Sequence, residues 1–146
     1  MASMLYGGAL TSKLFVNVRE KLSLCYYASS RVDKWKGLMF VQSGIEFSQY
    51  QRALDEILFQ LEECRKGRIT REELTSAFNT AATLYNAIGD SPLEMEEFYV
   101  GQAVAGLTYG AGDFVEMCRG VTVDDAARAA GSFSLDTTYF LRGLED

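Results

Sequence analysis

Apolar residues recur along this chain with two different periods, and the change from one to the other marks out its elements. In "ALTSKLFVNVREKL" the residues Leu14, Val18 and Leu22 fall on one helical face behind Thr11 or Ser12 as the cap, which predicts a helix to about Leu22. From Leu24 to Val32 the pattern turns strand-like, and "GLMFVQSGI", Gly37 to Ile45, does the same beyond a short charged connection, Asp33 to Lys36. These two runs predict an antiparallel hairpin. Alternation sends Cys25, Tyr27 and Ser29 to one face and Tyr26, Ala28 and Ser30 to the other, so the neighbouring tyrosines have different surroundings.

The helical period then returns. In "SQYQRALDEILFQLEECRKG" Ser48 and Gln51 have capping-box spacing, Tyr50, Leu54, Ile57, Leu58 and Leu61 form the apolar stripe, and Gly67 is the stop. A long helix follows, with Thr70 as cap, Glu73 completing the box, Ile69 stapled to Leu74, and Gly89 at its end. Ser91-Pro92 with Glu94 starts a helix to about Ala105, Asp113 with Glu116 starts another, and Thr122 with Asp125 a third. The β-rich "DTTYFLRG", Asp136 to Gly143, predicts a last strand that returns to the sheet.

Helix, two strands, several helices and one strand make an α+β fold: a two-layer sandwich in which a sheet containing antiparallel strands is covered on one face by several helices. Three strands are few for so many helices, and the first helix has no preceding strand to pack on. Between Ala9 and Gly143 there is no linker, low-complexity tract or internal repeat. Residues 1–146 therefore read as a single domain, truncated or completed by another chain.

Composition narrows the function. A chain of 146 residues with 48% hydrophobic and 23% charged residues is globular rather than disordered. The net charge of −6 argues against a nucleic-acid surface, which needs clustered cations. No apolar run approaches the ~18 residues of a membrane span, and the N-terminus lacks a signal-peptide pattern. The expected setting is the cytoplasm, with no membrane and no nucleic-acid partner. Cys25, Cys64 and Cys118 are too widely spaced for a metal clip and read as buried thiols.

The chain contains no histidine, which removes histidine-paired nucleophiles and histidine-ligated zinc. Paired carboxylates, a lysine base or a Cys/Asp site remain open, without convincing spacing. Glu94, Glu96 and Glu97 admit an acid/base reading, but at a helix start they fit a solvated face favoured by the dipole. Gly7-Gly8 followed by Thr-Ser-Lys hints at a phosphate loop, yet Leu14 stands after Lys13 where that loop needs a hydroxyl.

The stretch "GGALTSKLFVNVREKLSLCYYASS" resembles the signature of the insulinase/pitrilysin-type zinc peptidases, which include the mitochondrial processing peptidases, in their second, non-zinc domain. The resemblance continues through "KGRITREEL", "GDSPLEMEEFY", "GVTVDDA" and "TYFLRG", nearly the whole chain apart from the opening strands such a domain has. It implies a zinc-dependent endopeptidase-like parent whose zinc and general base come from an inverted His-x-x-Glu-His motif on a partner domain. This chain then holds no cofactor and is inactive alone, and zinc belongs to the zinc-bearing N-terminal domain or a homologous chain. The resemblance also implies that Arg19 and Tyr26 reach a peptide substrate, Arg19 by binding it and Tyr26 by binding it and stabilising the oxyanion. The family usually has Gly-Leu and a small residue before that tyrosine. Here the run is Ser23-Leu24-Cys25, and serine strains the turn if it requires φ > 0. Without the resemblance, Arg19 reads as a surface ion-pair partner and Tyr26 as a sheet residue. The alternative function is a non-catalytic assembly or scaffolding domain of an inactive homologue. Either way the uncovered sheet edge predicts a homo- or hetero-oligomer.

Overall fold

The opening segment coils as its spacing predicts, though more widely than an α-helix. In the computed structural model, which describes residues 1–143, Leu14–Lys21 is π-helical, as is a preceding turn, Met4–Gly8. The Leu22 amide donates to the Asn17 carbonyl, five residues back, at 3.2 Å. Of the two candidate caps, Ser12 takes the role, its Oγ accepting from the Phe15 amide at 3.4 Å. Thr11 instead bonds Ser76 on a distant helix. Leu14 and Val18 are fully buried, whereas Leu22 is exposed because the helix ends beside it. Gly7 lets the first turn lie on the sheet, since a Cβ there would come within 2.6 Å of the Ser30 amide nitrogen.

Two strands, β1 (Cys25–Asp33) and β2 (Leu38–Ile45), pair antiparallel. Asp33 Oδ1 accepts the amides of Trp35 and Lys36, and Gly37 at φ +65° completes the reversal, so the charged connection is a tight turn. Ala28 and Ser30 face inward, and Tyr27, Ser29 and Arg31 outward, as alternation predicts. Tyr26 does not follow that alternation. A bulge shifts the register there and turns its side chain out to solvent.

The two π-helical segments pack on β1, and the α-helices pack on those segments and on one another: α1 (Tyr50–Arg65), α2 (Arg71–Ala87), α3 (Pro92–Val104), α4 (Ala111–Arg119) and α5 (Val123–Gly131). The capping boxes Thr70/Glu73 and Thr122/Asp125 form, and Ser91 caps α3 with Pro92 in its first turn. After α1 the amides of Gly67 and Arg68 donate to the carbonyls of Cys64 and Glu63, a Schellman stop with Gly67 at φ +67°. Ser48 caps nothing: it lies inside a 3₁₀ turn, Phe47–Gln49, and the extended residue before that turn is Glu46. Asp113 is not the cap of α4 but its third residue, accepting from the amide of the true cap, Gly110.

The segment 136–143 forms no strand; among the described residues the sheet has only β1 and β2. Phe140 stacks instead on Tyr50 at 4.4 Å and on Phe47 at 6.0 Å between ring centroids. Phe140 is thus taken up beside the start of α1, while Tyr139, the segment's other aromatic residue, stays exposed. The α+β two-layer arrangement holds with a thinner sheet.

One apolar cluster joins Tyr6, Leu14, Val18, Leu24, Ala28 and Leu61, and a second joins Leu5, Ile69, Ala77 and Ala126, with Leu74 packed on it as a staple requires. Burial pushes the Cys64 thiol up to about 11 and raises Tyr6 well above the ordinary phenol range. The Tyr6 hydroxyl donates to the Ile57 carbonyl at 2.8 Å, which satisfies the buried polar group. Lys13 is buried against Glu73 at 2.9 Å, so the carboxylate that caps α2 also anchors the π-helix bearing Arg19.

Candidate functional site

Arg19 stands in the last turn of the π-helix and Tyr26 near the start of β1. The connection between them is sharply folded. Ser23 has φ +50°, the left-handed region that the glycine of the family pattern suits, and a serine there costs roughly 1–2 kcal/mol. The amides of Ser23 and Leu24 still donate to the carbonyls of Arg19 and Val18, at 3.1 and 3.0 Å. Leu24 is buried beneath, so the turn is held from both ends.

This reversal brings the two residues together. Arg19 Nε donates to the Tyr26 carbonyl at 2.9 Å, so the contact runs from guanidinium to backbone and leaves the phenol free. The guanidinium lies 4.6 Å from the centre of the Phe15 ring, and Nη1 is 3.1 Å from Glu20 Oε1. Nη2 has no partner among the described residues, and the side chain keeps 38% of its exposure. A cation also suits the C-terminal end of a helix.

Tyr26 owes its position to the bulge. The ladder pairs Cys25 with Ile45 and Tyr27 with Gly44, so Tyr26 is the extra residue of β1 and has no partner on β2. Its side chain is 85% exposed. Two residues of β2 that sequence reasoning did not single out hold this irregularity in place. Ser43 Oγ donates to the Tyr27 carbonyl at 3.0 Å, and Gly44 accommodates the Tyr27 ring, which a Cβ would approach to 2.6 Å. The only sequence signal for them is a small polar pair inside an otherwise apolar strand, "MFVQSGI".

Chemically the site offers a half-exposed guanidinium at the end of the π-helix and, on the strand residue whose carbonyl it binds, an exposed phenol. Among the described residues no group of three or more His, Cys, Asp or Glu side chains is placed to hold a metal ion. No helix among the described residues is long and apolar enough to cross a membrane.

The sequence profile of the Peptidase M16 inactive domain matches residues 1–80, more than half of the chain. The chain belongs to the M16 peptidase family. The part of that family it matches is the inactive domain, so this is a non-catalytic M16 domain, in line with the resemblance seen in the sequence. A relative from Bacillus subtilis (strain 168), "Probable inactive metalloprotease YmfF", is 38% identical over 144 residues, covering 97% of this chain and 33% of the relative. A conserved protein from Enterococcus faecalis V583 shares the fold with a TM-score of 0.81 at 30% identity, over 89% of this chain and 31% of its own. A protease from Helicobacter pylori has a TM-score of 0.71 at 23% identity, over 89% and 32%. The M16 domain described here thus spans about a third of the length of these relatives.

Proposed function

We propose that this M16 domain grips extended peptide, with Arg19 donating to a substrate backbone carbonyl and Tyr26 presenting its hydroxyl to the oxyanion that forms when the carbonyl is attacked. The attacking water and its zinc belong to a partner domain or homologous chain; no zinc is bound by this chain's own residues. The observation that supports this reading is the bulge at Tyr26, which turns the phenol out of the alternating pattern on the residue whose carbonyl the guanidinium binds. Residues 1–146 act as one unit whose thin sheet is completed by strands from elsewhere. Cys25, Cys64 and Cys118 are all free, which fits a reducing, cytoplasmic setting.

The YmfF relative is named a probable inactive metalloprotease, and this favours a second reading in which the assembled protein holds peptide or a partner chain without cleaving it. The two readings share the same grip and differ in turnover. In the full-length parent protein, Arg19→Ala and Tyr26→Phe each lower kcat/KM about 10- to 100-fold if it hydrolyses peptide, with zinc content unchanged. If it does not hydrolyse, Arg19→Ala weakens the Kd for an unfolded peptide by about tenfold or more. Wild-type activity and wild-type peptide affinity in both variants would remove the assignment.

A further inference from the structure

A second concave surface lies apart from Arg19 and Tyr26. The hairpin turn folds onto α3, where Gly101 makes room for Trp35: a Cβ at 101 would stand 3.1 Å from the indole Cζ2. Between the turn, the second half of α2 and the length of α3 runs a groove of about 800 Å³. Leu84 and Ile88 form one apolar wall, Phe98 and Val104 the other, with Trp35 at the turn. Its charged groups are Glu94 and Glu97 on α3 and Lys34 on the turn. Lys34 Nζ lies over the Trp35 ring at 4.9 Å. Neither glutamate joins an ion pair among the described residues.

Glu94, Glu97, Gly101 and Val104 follow one another at spacings of three, four and three, so they share one face of α3. The carboxylates therefore occupy one end of the groove and Val104 the other. Leu84, Val100 and Val104 are all more than half exposed, which extends the apolar surface over about three helical turns. A small molecule would cover only part of such a strip.

We infer that this groove docks an amphipathic helical segment of a partner protein, laid with its apolar face on Leu84, Phe98 and Val104 and with a lysine or arginine set against Glu94 and Glu97. The unpaired carboxylates decide the chemistry of the occupant: they attract a basic residue and repel an acidic one, while the apolar walls supply the burial.

Trp35 is the single tryptophan of the chain, so its fluorescence reports directly on the groove. The full chain is titrated with a synthetic helix of about 15 residues, leucine on one face and lysine on the other, and with the same helix carrying glutamate for lysine. The lysine helix shifts Trp35 emission to the blue, saturably, and binds at least about tenfold more tightly than the glutamate helix. Glu94→Gln with Glu97→Gln removes that preference, and Val104→Asp removes binding. Four results overturn the inference: equal affinity for the two helices, lysine-helix binding that leaves Trp35 emission unchanged, a preference that survives the double glutamine variant, or tighter capture by phosphatidylcholine–phosphatidylglycerol vesicles than by the helix. A blue shift that grows with protein concentration alone, and persists when Leu38→Lys with Phe40→Lys blocks association through the hairpin, marks a second copy as the occupant and overturns it as well.

Discussion

At the scale of single residues, the site depends on two backbone irregularities seven residues or fewer from Arg19. Ser23 is held at φ +50°, where the missing freedom of glycine is felt. Ser23→Gly relieves that strain and raises stability by up to ~1 kcal/mol, the gain being limited by the extra freedom glycine has in the unfolded chain. Ser23→Val costs about 1–2 kcal/mol or more, since a β-branched residue tolerates the left-handed region worst. Urea denaturation of the two variants measures both, and equal stabilities would mean that the turn stores no strain. The demand on Ser23 was legible because the departure from the resembling pattern falls within one short run, whereas Arg19 and Tyr26 were singled out by that resemblance and not by their spacing. Ser43 was not. Its hydrogen bond to the Tyr27 carbonyl arises from the register of two strands, and a bulge in β1 becomes visible only once β2 is laid beside it.

At the scale of elements, the same distinction between local and long-range information explains which helix starts were readable. Thr70/Glu73 and Thr122/Asp125 close across three residues, so sequence spacing is enough. Ser48 has the same spacing to Gln51, but Phe47 and Tyr50 meet Phe140 from the far end of the chain, and the 3₁₀ turn there leaves Ser48 inside helical backbone. The strand expected at 136–143 failed for the same reason. The box at Thr122 also has a pH signature. Hydrogen bonds from Thr122, then Arg128, hold the Asp125 carboxyl below its ordinary value. A depressed carboxylate stabilises the fold above its unfolded pKa, and that contribution fades as pH falls through the folded one. Asp125→Asn therefore lowers Tm at pH 7, and the gap to the wild type narrows as the pH drops below the usual carboxylate range. A gap that stays constant with pH would show that the carboxylate charge has no part in the cap.

At the scale of the whole molecule, the exposed surface is larger than the chain needs. A folded monomer of 16.2 kDa has roughly 7,500 Å² of accessible surface, whereas this chain has 9565 Å². The excess on this one chain is roughly 2,000 Å², more than the ~800 Å² that each partner contributes to a standard interface. Part of it lies on the hairpin, where Tyr27, Leu38 and Phe40 sit on the outward face of a sheet that, among the described residues, has two strands and both edges open. Composition alone hides this, because 48% hydrophobic content is ordinary and only the fold shows how little of it is covered. A hairpin of this kind is marginal by itself and seeks further strands. The purified chain is therefore expected to exceed the mass of one protomer by light scattering at high concentration. Leu38→Lys with Phe40→Lys returns it to a monomer, since lysines on an edge strand oppose the addition of a further strand without touching the inner core. A wild-type chain that stays monomeric at every concentration would mean that the open sheet is tolerated as it stands, and that the oligomer expected from the uncovered edge does not form.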